Sequence, residues 1–219
     1  MAVRGTFAAS LEELKIEVML LGSMVRNSLT ETMEAFETGN YSRFEQMIEQ
    51  DQTVNELEQD INDEATLLIA RQQPVASDLR RIIVMLKISS DLERVGDLAV
   101  DMSKAAKRIR LSEMMEEHRS ALIELAAKAD YMLKEVLHAY KERNVLRAQQ
   151  IAGFDDDVDR AYGEFVKSIF NVAVSEKKDI QQITQMAFIS RYIERIADYA
   201  TNIAEWIIYE VNGQRFDLN

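Results

Sequence analysis

One pattern is written twice in this chain. "DLERVGDLAVD" spans residues 91–101 and "YIERIADYATN" spans residues 192–202. Glu93, Arg94, Asp97 and Ala99 return as Glu194, Arg195, Asp198 and Ala200, a shift of 101. Further upstream the shift is 104. It pairs Leu29 with Leu133, Ala35 with Ala139, Asn40 with Asn144, Asp51 with Asp155, Val54 with Val158 and Ile61 with Phe165. A repeat this long builds one supersecondary unit and then builds it again.

The unit is helical. Met85, Ile88, Leu92, Val95, Ala99 and Met102 fall at spacings of three and four, as do Leu57, Ile61, Ala65 and Leu68. Such stripes are the apolar faces of amphipathic helices. Seven Gly and one Pro in 219 residues leave little material for a turn-rich β fold. "TGNYSRFE" breaks the pattern: Gly39 ends one helix, and Ser42 with Glu45 forms a capping box for the next. Pro74 fixes a second break in "RQQPVASDLRR". "RLSEMMEEHRS", "KERNV" and "VSEKKD" supply three more. Six helices are expected, near 6–38, 41–71, 77–110, 115–142, 145–174 and 178–211. The expected fold is all-α, two tandem three-helix bundles related by a pseudo-twofold internal repeat, with domains 1–112 and 113–219.

Composition narrows the function. Without Cys there are no disulfides and no thiolate sites, as suits a reducing cytoplasm. A formal net charge of -12 disfavours nucleic acid and favours cations or a basic partner surface. No apolar run is long enough to span a membrane. No Gly-x-Ser-x-Gly elbow, Walker loop or Gly-rich strand-to-helix turn is present, so no enzymatic activity is expected.

The repeated segment is electrostatically odd. Glu93, Asp97 and Asp101 stand at successive i, i+4 positions, where like charges repel by roughly 0.2–0.5 kcal/mol per pair. If the second and third helices of each unit run antiparallel, the turn at Pro74 sets Asp51 level with Asp97 and Asn55 level with Glu93. In the second unit a turn between Glu176 and Lys177 sets Asp155 level with Asp198 and Asp159 level with Glu194. Each unit is then expected to carry two acidic ladders side by side on its outer surface. Gly96, Ala99, Ala197 and Ala200 lie beside them, and such small residues would let something approach the helix closely. Clustered side-chain oxygens suit hard cations: calcium, magnesium, manganese or ferric iron. His118 and His138 stand outside the ladders, so the sites are expected to be all-oxygen. The plainer alternative is a solvated acidic face relieved by Arg94 and Arg195, on a metal-free helical adaptor. A di-iron carboxylate oxidase needs two Glu-x-x-His motifs. Only Glu135–His138 fits, and its counterpart Glu31–Glu34 lacks the His. Trp206, Tyr209 and Phe216 are expected to pack or cap the last helix.

The two acidic motifs, with "RQQPVASDLRRIIVMLKISSDLERVGD", "YIERIADYATNIAE" and "DDDVDRAYGEF", resemble the PhoU family over nearly the whole chain. That resemblance implies multinuclear metal clusters on the bundle surfaces, iron in some members. Carried over by motif, one site uses Glu93, Asp97 and Asp101 with Asp51 and Asn55. The other uses Glu194, Asp198 and Asn202 with Asp155 and Asp159. Two departures mark the second: Asn202 replaces a carboxylate, and Tyr162 stands where the first unit has Glu58. The resemblance also implies a cytoplasmic regulator that represses the phosphate-starvation response, working between the phosphate transporter ATPase and a membrane sensor histidine kinase. A homodimer is expected.

Overall fold

The computed structural model describes residues 2–110, 115–172 and 177–218, with the side chains of 2–6, 50, 177 and 178 outside the description. Its elements are α1 (Ala2–Thr38), α2 (Tyr41–Gln72), α3 (Ser77–Ala106), α4 (Glu116–Glu142), α5 (Val145–Phe170) and α6 (Lys177–Asn212), with no strand among the described residues. The expected domain boundary at 112/113 and the expected end of the fifth helix at 174 lie outside the described residues.

The first break differs from expectation. Gly39 adopts φ +68, and Asn40 N–H returns to Ala35 O at 2.9 Å. This left-handed stop makes Asn40 the cap of α2, so Ser42 already lies in the first turn and no capping box forms. The Ser42 hydroxyl instead donates to Asn40 Oδ1 at 2.8 Å, and Glu45 pairs with Lys107 at 2.6 Å. The second copy repeats the turn with Arg143 at φ 53 and Asn144 N–H on Ala139 O at 2.9 Å. There Asn144 Oδ1 does cap its helix, accepting from Arg147 N–H at 3.0 Å. Between α2 and α3, Pro74 sits in a turn whose flanking Gln73 and Ala76 both take positive φ.

Helices α1–α3 form one bundle and α4–α6 the other, and the two share an interface. Helix α3 packs against α6 more extensively than against either helix of its own bundle, and α1 packs against α4. Both pairings are antiparallel. Glu37 meets Arg119 while Lys15 meets Lys141, and Arg81 lies beside Glu210 while Asp101 lies beside Tyr192. Gly22 permits the α1–α4 approach, because a Cβ there would come within 2.5 Å of the Leu137 side chain. One continuous core results, with Leu14, Leu21, Leu29, Ile82, Ile88 and Leu92 fully enclosed. Each such side chain contributes on the order of 1.5–3 kcal/mol.

The interface obeys the repeat. Lys15 Nζ donates to Lys141 O at 2.8 Å, and its counterpart Arg119 donates to Glu37 O at 2.6 Å. Both acceptors lie in the last turn of a helix, where carbonyls lack intrahelical partners. Within each bundle the repeat also holds, as Arg43 of α2 pairs with Glu31 of α1 at 2.8 Å and Arg147 of α5 with Glu135 of α4 at 3.0 Å. At the C-terminal end Trp206 and Tyr209 meet each other edge-to-face and pack against the core, while Phe216 stays 46% exposed.

Candidate carboxylate clusters on the two bundles

Each acidic ladder lies in a groove between the last two helices of its bundle. On α3, Leu92, Val95, Leu98, Ala99 and Met102 are buried because α1, α2 and α6 surround them. Glu93, Asp97 and Asp101 fall on the flank that remains and are half-buried. The second cluster is deeper than an outer surface: Asp155 is 7% exposed and Glu194 9%. The small residues are explained by packing. Gly96, Ala99, Ala197 and Ala200 are all buried, and a Cβ on Gly96 would meet Val54 of α2 at 3.2 Å. At Gly96 what approaches closely is the neighbouring helix.

In the first cluster, Asp51 on α2 lies against Asp97 and Asp101 on α3. Burial raises its carboxyl above the usual range, and the Asp97 charge adds to this. Asn55 donates to Asp51 Oδ2 at 3.4 Å and works in the other direction. Glu93 is raised by burial, then by Asp97, with Glu58 and Asp51 contributing. Arg94 partly offsets this, 3.6 Å from Glu93 and 3.5 Å from Asp97. Lys104 pairs with Asp101 at 3.0 Å. Glu58 therefore belongs to the group. Its signal was its place on the same ladder, three residues after Asn55 and four before Asn62.

In the second cluster, burial pushes Asp155 up to about 6, with the Asp159 and Asp198 charges next in importance. The Thr201 hydroxyl lies close enough to favour the ionised form but makes no aligned hydrogen bond. Glu194 and Asp198 are also raised, first by burial, then by Asp198 and Asp159 respectively. Relief comes from Arg191, which pairs with Glu194. Arg195 instead reaches Tyr199 at 3.4 Å. Helical rise explains the switch: Arg191 lies one turn before Glu194 and on its face. Asn202 is half-buried, and among the described residues no hydrogen bond joins it to the other members.

The carboxylates of each predicted group thus lie within electrostatic reach of one another across two helices, while no contact ties Asn202 to the second group among the described residues. Among the described residues, no three acidic or histidine side chains converge as they would around an ion. Two oxygens of the second cluster are nonetheless buried without a hydrogen-bond partner, Asp155 Oδ1 and Glu194 Oε2. The donor set is oxygen-only, and these orphaned atoms fit a hard cation. The Glu135–His138 pair has no such setting: Glu135 is held by Arg147, and His138 is exposed on α4.

Fold and clusters together define a duplicated three-helix-bundle protein with one carboxylate groove per copy. The PhoU domain model matches twice, at residues 18–106 and 122–207, and the chain belongs to the PhoU family. It is 38% identical over 220 residues to the phosphate-specific transport system accessory protein PhoU homolog of Clostridium acetobutylicum, covering 99% of each chain. It is 32% identical to the accessory protein PhoU of Escherichia coli, over 98% of this chain and 88% of that one. The crystal structure of PhoU from Pseudomonas aeruginosa superposes with a TM-score of 0.89 at 29% identity, covering 95% of this chain and all of the other. The phosphate transport system regulatory protein PhoU from Streptococcus pneumoniae gives 0.87 at 28%, covering 96% and 99%. No described helix is long and apolar enough to cross a membrane.

Proposed function

We propose that this chain is an accessory protein of phosphate-specific transport that represses the phosphate-starvation response, linking the transporter ATPase to a membrane sensor histidine kinase. It acts in the cytoplasm as a non-catalytic homodimer, and its carboxylate clusters hold metal. The names of full-length relatives support the transport role. One observation carries the metal reading: both repeats gather carboxylates at the same place, and the deeper cluster leaves Asp155 Oδ1 and Glu194 Oε2 unsatisfied.

Asp51, Asn55, Glu93, Asp97 and Asp101 hold the first site; Asp155, Asp159, Glu194, Asp198 and Asn202 hold the second. Iron is the first candidate, with magnesium, manganese or calcium as alternatives. A bound cation supplies positive charge that turns mutual repulsion among these groups into attraction. The chain's part is to fix two helices at that spacing and to release Arg94, Lys104 and Arg191 from the carboxylates they now partner.

Elemental analysis of protein purified without chelators tests the metal. Loss of bound metal in Glu93→Asn/Asp97→Asn supports it, and unchanged metal content favours the metal-free adaptor. Capture of the ATPase and the kinase at high and low phosphate tests the regulatory role, and light scattering tests the dimer. Failure to capture either partner in both conditions counts against the regulatory reading.

A further inference from the structure

The two bundles are copies, so each end of their shared interface is a control for the other. At one end Phe36, Gly39 and Ile109, with Tyr41, Phe44 and Ala106, enclose about 0 Å³. At the opposite end the equivalent positions are Tyr140, Arg143 and Glu210, and a cleft of about 330 Å³ lies open. Arg81 also lines it, where the other copy has Gln182. Other wall positions barely change between copies: Glu12 matches Glu116, Lys15 matches Arg119, Asp78 matches Asp179 and Met85 matches Met186. Among the described residues, the Phe, Gly and Ile at one end are thus Tyr, Arg and Glu at the other, where they line the cleft.

The polar groups there are incompletely satisfied. Tyr140 is 1% exposed, yet its hydroxyl has no hydrogen-bond partner among the described residues. That hydroxyl feels the charges of Glu210, Arg143 and Glu12, all of which line the cleft. A buried donor of this kind is rare unless something supplies the acceptor. Among the described residues, Arg81 makes a single, long ion pair, 3.9 Å to Glu210. Arg143 is bound to Glu210 and occupies a left-handed backbone position that its counterpart fills with glycine. A non-glycine residue there carries strain that its side chain must justify. Lys15 lies over the Tyr140 ring at 5.7 Å from its centroid.

We propose that this cleft binds a small oxyanion, a phosphate, sulfate or carboxylate group, between Arg81, Lys15 and the Tyr140 hydroxyl. Arg143 neutralises Glu210, so the acid at the base of the cleft does not repel the anion. Glu12 is exposed at the edge, and Asp78 is half-buried in the first turn of α3. The ligand would touch α1 and α3 of one bundle and α4 of the other, and would clamp the two together.

The test uses the full chain, stripped of metal by chelation so that anions held by a cation do not contribute. Inorganic phosphate, sulfate and acetate are titrated by calorimetry up to about 10 mM at constant ionic strength set by chloride. Parent protein is compared with Tyr140→Phe and Arg81→Gln, each of which installs the residue of the other copy. At least one anion is expected to bind the parent, with affinity about tenfold lower in Arg81→Gln and lowered also in Tyr140→Phe. Binding of phosphate and sulfate without acetate assigns a tetrahedral ligand, and acetate alone assigns a carboxylate. No binding of any of the three to the parent, or equal binding to all three proteins, overturns the proposal. Neither result bears on the metal clusters, because the carboxylate grooves are untouched.

Discussion

Arg26 and Asp130 occupy the same position in the two repeats and bind each other. They are 104 residues apart, and two parallel hydrogen bonds of 2.8 Å join the guanidinium to the carboxylate. The pseudo-twofold axis therefore passes through a pair whose members have diverged to opposite charge. A symmetric ancestor would have set like residues against each other there.

This pair is half-buried and bidentate, so it is stronger than an ordinary surface contact. Arg26→Asp alone, or Asp130→Arg alone, places two like charges face to face. Each is expected to lower stability by about 1–3 kcal/mol, between the exposed and the buried limits. The double exchange restores the pair with its ends reversed and should recover most of the loss. Urea unfolding of the four proteins closes the cycle.

Trp206, the one tryptophan, reports on a half-buried acid. Its indole N–H donates to Asp91 Oδ2 at 3.1 Å. Burial pushes the Asp91 carboxyl up to about 6, against the opposing pull of that hydrogen bond and of Lys87 and Arg215. The native carboxyl thus holds its proton at a pH where the unfolded chain has lost it. Stability falls as pH rises from about 4 to about 6, at up to about 1.4 kcal/mol per pH unit, and levels off above. Asp155 titrates in the same window, so the comparison with Asp91→Asn isolates this group. Tryptophan emission in chelator-treated protein should change with a midpoint near pH 6, and Asp91→Asn should abolish that transition.

The carboxylate grooves predict a change of sign. In chelator-treated protein at neutral pH, Glu93→Gln or Asp198→Asn removes a charge that its neighbours disfavour, as their raised carboxyls show. Each variant is expected to be more stable than the parent by about 0.5–1 kcal/mol. With excess iron or manganese the order should reverse, because only the parent gains the stabilisation that a ligand confers on the state it binds. Thermal unfolding with and without metal measures both. A parent that remains the less stable protein under both conditions would remove the metal from the account.

Much of this was legible in the sequence because the repeat carried it. The repeat and its apolar spacing predict six helices and two bundles, and antiparallel packing about Pro74 places Asp51 beside Asp97. Three things were not legible. The depth of Asp155 and Glu194 depends on how α5 and α6 nest, which periodicity alone does not give. Gly96 and its small neighbours read as a place of close approach, but spacing does not show that Val54 of α2 is what approaches. The cap of α2 was misassigned because Gly39 shifts the helix start by its left-handed turn, which brings Asn40, not Ser42, to the cap.

Arg143 and Glu210 offer the sharpest use of the internal copy. Arg143→Gly relieves the left-handed backbone, a gain of about 1 kcal/mol. It also strips the partner from a carboxylate that is 8% exposed, a cost of about 3 kcal/mol or more. The single variant is therefore expected to be destabilised. Glu210→Ile alone leaves Arg143 free to turn to solvent and should be milder. The double variant carries the residues of the other end, Gly39 and Ile109, and replaces an ion pair by an apolar contact. Such replacements are often neutral or stabilising, so it should be at least as stable as the parent. Denaturant unfolding gives the three differences, and a double variant less stable than Arg143→Gly would show that the two ends do not follow one packing plan.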